Sequence, residues 1–68
     1  MDVNAMKQVY NYIEHNPGTK KWTAAKMYYS LVGREMRSNN SDTLLCSMEK
    51  HGLILSEDPK GKLFAWMN

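Results

Sequence analysis

The sequence predicts a small α+β domain, mainly helical, in which three helices are followed by a C-terminal β-hairpin. Three observations carry this. Apolar residues recur at three- and four-residue spacing in three separate stretches. Helix-stopping residues separate those stretches: Asn16-Pro17-Gly18, then Gly33, then His51-Gly52. Two short apolar runs, residues 53–55 and 63–67, flank a segment rich in turn formers, Ser56-Glu57-Asp58-Pro59-Lys60-Gly61-Lys62.

The first helix is expected over residues 3–15. Val3, Met6, Val9, Tyr10 and Ile13 share one side, and Asn4, Lys7, Asn11 and Glu14 fall on the other. Asp2 precedes the run, where its carboxylate can cap the first turn or favour the positive end of the helix dipole. A residue before proline avoids the helical region and glycine tolerates a turn, so Asn16-Pro17-Gly18 ends the helix.

Thr19-Lys20-Lys21-Trp22 reads as an extended piece that brings Trp22 onto the core, with Thr23 as N-cap of a second helix. Ala24, Met27, Tyr28 and Leu31 make its apolar stripe. Lys26 and Ser30 lie outside it, and Tyr29 falls opposite it, as an exposed aromatic. Continuing the helix would place Arg34 and Glu35 on the apolar stripe, so 33–37 is read as a turn opened by Gly33. Ser38, Asn39, Asn40 and Ser41 are all good cap residues and start a third helix, about 39–51. Leu44, Leu45 and Met48 form its buried side. Asn39, Thr43, Cys46 and Lys50 form the outward stripe, flanked by Asp42 and Ser47. In the hairpin, alternation puts Phe64 and Trp66 on one face and Leu63, Ala65 and Met67 on the other, and either could be the core face.

With 68 residues the chain has room for one domain, 1–68. Hydrophobic residues make up 43% and charged residues 24%, which excludes a disordered tail. A domain this small takes most of its large side chains, including many of its six methionines, for the core, and little remains for an enclosed substrate pocket. The net charge of +2 is compatible with a nucleic-acid partner without requiring one. The single cysteine, Cys46, excludes an intramolecular disulfide and argues against a cysteine-based zinc site. No apolar run has the length of a signal peptide core or a membrane span, so the chain is read as intracellular and cytoplasmic, with no membrane partner. His15 and His51 lie near helix ends, without enough nearby ligands for a metal. No triad, metal set or phosphate loop is present, so neither an enzyme nor a cofactor is expected.

The order helix, short extended piece, helix, turn, helix, hairpin resembles the winged helix-turn-helix superfamily over nearly the whole chain. Leu45-Cys46-Ser47-Met48-Glu49-Lys50-His51-Gly52-Leu53-Ile54 looks like the end of a family recognition helix running into the first wing strand. Trp22-Thr23-Ala24-Ala25 looks like the entry into the family's second helix, and Pro59-Lys60-Gly61-Lys62 like a wing tip.

The resemblance implies a small DNA-binding protein, a transcriptional regulator working as a homodimer on double-stranded DNA. The third helix would enter the major groove with the hairpin, 53–67, as wing. Asn39 would face adenine, Thr43 a thymine methyl and Lys50 a guanine or phosphate, with Asn40 and Ser47 on the same DNA-facing helix. Arg34 and Arg37 would clamp a phosphate beside the helix start, because a guanidinium fork matches phosphate oxygens. Lys60 and Lys62 would reach the minor groove or a phosphate. Lys20, Lys21 and Lys26 add positive charge near the second helix. Capping alone also accounts for Asn and Ser at a helix start, and mixed charge for a soluble hairpin tip. The alternative is a winged-helix adaptor that binds a protein partner. Asp42, a third helix without arginine, the small positive excess and an exposed Tyr29 favour it.

Overall fold

The computed structural model describes residues 1–65. Three helices, α1 (Val3–His15), α2 (Lys21–Leu31) and α3 (Asn40–Lys50), pack with three short strands, β1 (Thr19–Lys20), β2 (Ser56–Glu57) and β3 (Lys62–Phe64). The strands form one antiparallel sheet in the order β1-β3-β2. The fold is therefore α+β and mainly helical.

In α1 the apolar spacing closes as expected: Ala5, Met6, Val9 and Ile13 are buried. Asp2 is its N-cap, and the Asp2 carboxylate accepts from the Ala5 amide at 3.1 Å. The extended piece after the Pro17-Gly18 turn becomes β1, because its backbone finds partners across the chain. Gly18 donates to the Leu63 carbonyl at 2.8 Å and Lys21 to the Gly61 carbonyl at 2.9 Å, bracketing the Thr19–Leu63 and Lys20–Lys62 pairs.

Three expectations for this region are corrected. Helix α2 starts at Lys21, immediately after the strand, so Trp22 lies within the helix and 59% exposed rather than on the core. The N-cap is Lys20, with no side-chain cap bond, and not Thr23. The buried face of α2 is also rotated from the expected stripe. Ala24, Ala25, Tyr28 and Tyr29 are buried, and Leu31 is 47% exposed. The small Ala24 and Ala25 let this side of the helix approach its neighbours closely. Tyr29 then packs edge-on against Tyr28, with ring centroids 5.0 Å apart.

Helix α2 ends in a Schellman motif. Gly33, at φ +67°, donates to the Ser30 carbonyl, and Arg34 donates to the Tyr29 carbonyl at 2.9 Å. Helix α3 ends the same way, with Gly52 at φ +79° donating to Glu49 and Leu53 to Met48. Leu44 and Met48 of α3 are fully buried, and Leu45 is half-buried. The first strand of the hairpin forms later than expected. Residues 53–55 are not a strand; Leu53 and Leu55 pack half-buried against the core, and pairing begins at Ser56.

The open question of the hairpin face is settled by burial. Leu63 is 0% and Ala65 8% exposed, so their side faces the core, and Phe64 sits half-buried on the other. Trp66 and Met67 lie outside the described residues. The Tyr10 hydroxyl donates to the Ala65 carbonyl at 2.9 Å, tying the end of β3 to α1. The core is wholly apolar among the described residues, with Met6, Val9, Ile13, Leu44, Met48 and Leu63 at its centre. No described helix is long and apolar enough to cross a membrane.

Candidate nucleic-acid interface

Helix α3 presents one uninterrupted polar face. Thr43, Cys46 and Lys50 are exposed and Ser47 half-buried. They stand three, four and seven residues apart, so they share one stripe. With Met1 and Asp42 they line a shallow groove along the helix. Lys50 lies in the last turn, where its charge also favours the helix dipole.

The segments flanking this face lie on opposite sides of the helix. On one side, Thr43 also lines a cleft shared with Met1, Asp2, Tyr28, Tyr29 and Arg34. On the other, Leu45 and Glu49 line a second cleft with Ile54, Leu55, Glu57 and Leu63 of the hairpin region. The turn after α2 and the hairpin thus border α3 left and right.

Lys21 ties the hairpin side together. The Lys21 ammonium lies 2.9 Å from an Asp42 carboxylate oxygen and 3.2 Å from a Glu57 one. Hydrogen bonds to Asp42 and then to Glu57 hold the Lys21 ammonium above its ordinary pKa. These are the two ion pairs among the described residues, and Lys21 makes both. The start of α2, the first turn of α3 and strand β2 therefore converge on one ammonium group. Asp42 lies in the first turn of α3, where its charge favours the helix dipole, and has a cation on its carboxylate as well.

The remaining candidate residues divide by how their polar groups are used. The Asn40 side-chain oxygen accepts from the Arg37 amide, and the Asn40 backbone amide donates back to the Arg37 carbonyl. Asn40 thereby holds the turn, and its oxygen is engaged there rather than offered outward. Asn39 is exposed and is the N-cap of α3 without a side-chain cap bond, while its carbonyl accepts from Thr43. Arg34, Arg37, Lys50, Lys60 and Lys62 are exposed and make no ion pair among the described residues.

The hairpin loop is organised by Asp58. One carboxylate oxygen of Asp58 accepts from the Lys60 amide at 2.9 Å and the Lys62 amide at 2.8 Å. This Asx-type turn uses the carboxylate on backbone, leaving both lysine side chains free at the loop. Lys62 also stands opposite Lys20 across the β1–β3 ladder, and both are exposed. Like charges directly opposed in a sheet disfavour pairing, so an anion there would relieve repulsion. Sequence reasoning placed Lys20 only in a general basic region, because the register that opposes it to Lys62 is a tertiary fact.

Trp22 was missed as a surface group. The Lys26 ammonium sits 4.5 Å from its ring centroid, a cation–π contact on the exposed side of α2. The two histidines are used locally: His15 pairs with the Asn11 carbonyl and His51 with the Ser47 carbonyl, each at 2.9 Å. Cys46 is exposed on the α3 stripe. Among the described residues no three His, Cys, Asp or Glu side chains come together as a metal-binding group. No protein-family model, curated protein or solved structure matches the chain.

Proposed function

We propose that the chain is a winged helix-turn-helix module that binds double-stranded DNA, with α3 in the major groove and the β2–β3 hairpin as wing. One observation carries this reading. The exposed stripe of α3 has Arg34 in the cleft on one flank and the hairpin region, through Glu57 and Leu63, on the other, and neither Arg34 nor the hairpin's Lys60 and Lys62 makes an ion pair among the described residues. Thr43 and Ser47 are the base-facing candidates, Lys50 reaches a guanine or a phosphate, and Arg34, Arg37, Lys60 and Lys62 are the phosphate contacts. Asn40 supports the turn, from which Arg37 projects. Regulation of transcription is the role such a module would serve.

Lys21 supports the same reading indirectly. Asp42 would repel phosphate at the groove-facing end of α3, and Lys21 lies directly on its carboxylate.

A salt titration tests the proposal. With Arg34, Arg37, Lys50, Lys60 and Lys62 all on phosphates, the log–log slope of affinity against salt has a bound of about −4.5. That bound corresponds to a loss of roughly 500-fold between about 50 and 200 mM salt. Fluorescence anisotropy on a mixed-sequence duplex should give a slope well away from zero and within that bound. Binding absent at low salt, or a slope near zero, refutes it.

A protein-binding adaptor on the same scaffold is the second reading. The exposed Tyr29 that favoured it is in fact buried. A different feature now supports it: Tyr12 and Leu31, 39% and 47% exposed, line a groove between α1 and α2 with Met27. A partner seated there would leave the α3 face unperturbed.

A further inference from the structure

The cleft beside α3 joins an unusual pair of groups. Tyr29 is only 8% exposed, yet its hydroxyl makes no hydrogen bond among the described residues. No described buried side-chain polar atom lacks a partner. The Tyr29 hydroxyl is therefore in contact with solvent, and Tyr29 lines this cleft of about 420 Å³. A buried ring ending in an unpartnered hydroxyl offers one fixed donor at low entropic cost, since packing has already immobilised it.

Arg34 lines the same cleft with an exposed guanidinium that makes no ion pair among the described residues. Its position relative to Tyr29 is set by the backbone, through the Schellman bond from the Arg34 amide to the Tyr29 carbonyl. The other polar groups of the cleft each make one hydrogen bond within the chain. The Tyr28 hydroxyl accepts from the Asp2 amide at 2.8 Å, the Asp2 carboxylate caps Ala5, and the Thr43 hydroxyl donates to the Asn39 carbonyl at 3.3 Å. The cleft then offers a forked cation and a phenol, both donors without a hydrogen-bond or ion-pair partner among the described residues, beside the second oxygen of the Asp2 carboxylate.

We infer that the Tyr29 hydroxyl and the Arg34 guanidinium form a seat for a phosphate group in the cleft between the end of α2 and α3. A phosphate oxygen accepts from both donors, and the guanidinium fork matches two oxygens at once. Thr43 belongs both to this cleft and to the outward stripe of α3, so a nucleic-acid backbone lying along α3 would pass over the seat. In that form the inference rests on the DNA-binding reading. The seat itself does not, because a free phosphate or phosphorylated small molecule has the same chemistry.

The test uses the full chain, labelled with ¹⁵N, and two probes. Inorganic phosphate is titrated at constant ionic strength against chloride, and a mixed-sequence duplex is titrated separately. The seat predicts saturating phosphate shifts centred on Tyr29, Arg34 and Thr43. Arg34→Gln should abolish them. Tyr29→Phe, which removes only the hydroxyl, should weaken phosphate several-fold. Phosphate shifts that do not saturate, or that persist unchanged in Arg34→Gln, overturn the seat, and because Arg34 is exposed that variant decides even if Tyr29→Phe folds poorly. Saturation by phosphate without duplex binding keeps the seat for a small phosphorylated ligand and removes the DNA reading. Duplex binding that ignores both substitutions, with no phosphate saturation, keeps the DNA reading and removes the seat.

Discussion

Replacing Gly33 with alanine probes the backbone device that sets Arg34 beside Tyr29. Gly33 has φ +67°, and a Cβ built there meets nothing within 4 Å. The substitution therefore adds no clash, and its cost is conformational alone. An L-residue in the left-handed region costs roughly 1–2 kcal/mol, and the reduced freedom of the unfolded chain returns about 0.4–1 kcal/mol. The expected net loss is about 1 kcal/mol, equivalent to a fall in Tm of about 4–8 °C for a domain of this size. Gly52→Ala is the matched control, with φ +79° and the same open surroundings at the far end of α3. Urea denaturation followed by far-UV circular dichroism should show similar losses for both. Only Gly33→Ala should also shift the Arg34 amide resonance strongly in the remaining native state. Chemical synthesis of the chain with D-alanine at position 33 should recover or exceed the original stability, since a D-residue adopts positive φ without strain. A loss with D-alanine equal to that with L-alanine refutes the reasoning, because it would place the cost in contacts and not in φ.

Leu63→Ala should be far more damaging. Leu63 is fully buried in β3, and truncation of such a residue costs about 2–5 kcal/mol, close to the whole stability of a small domain. The thermal transition should be broad or lost, and a transition close to wild type would contradict the placement of the sheet. Trp22→Ala should shift the denaturation midpoint by no more than about 0.5 kcal/mol, the range for exposed positions, whereas a core tryptophan would cost about 3–5 kcal/mol. Lys21→Ala should lower duplex affinity by uncovering Asp42 and Glu57, and adding Asp42→Asn with Glu57→Gln should restore it. Failure of the rescue would make Lys21 a direct phosphate ligand. Because the folded-state pKa of Lys21 is raised, its stabilising contribution is complete through neutral pH and is lost only as pH climbs through that raised value, above the ordinary lysine range. From neutral pH upward, the stability difference between wild type and Lys21→Met should accordingly stay constant until strongly alkaline pH.

The legibility of this fold in its sequence varied with how many registers the apolar pattern allowed. Helix α1 offers one: Met6, Val9 and Ile13 with Ala5 can face only one way. Helix α2 offers two, because Ala24-Ala25 and Tyr28-Tyr29 are apolar doublets. The sequence supports a stripe through Leu31 as well as one through Tyr29, and packing against α1 and α3 decides. Residues 53–55 are apolar enough for a strand, yet after the Schellman turn at Gly52 Leu53 and Leu55 pack against the core and pairing starts only at Ser56. Of the candidate interface, the α3 stripe was legible because its polar residues keep one phase. The junction at Lys21 was not, since it joins residues 21 positions apart and a third on β2. The phosphate seat was hidden for the same reason that Tyr29 was expected outside.

The most direct test of the nucleic-acid interface is amide chemical-shift mapping of the labelled chain with a mixed-sequence duplex, at low and then moderate salt. Shifts are expected over residues 34–50 and 60–62, with Tyr29 included, and they should weaken as salt rises. Shifts confined to Tyr12, Met27 and Leu31 on addition of a protein partner, with none on addition of duplex at low salt, would contradict it.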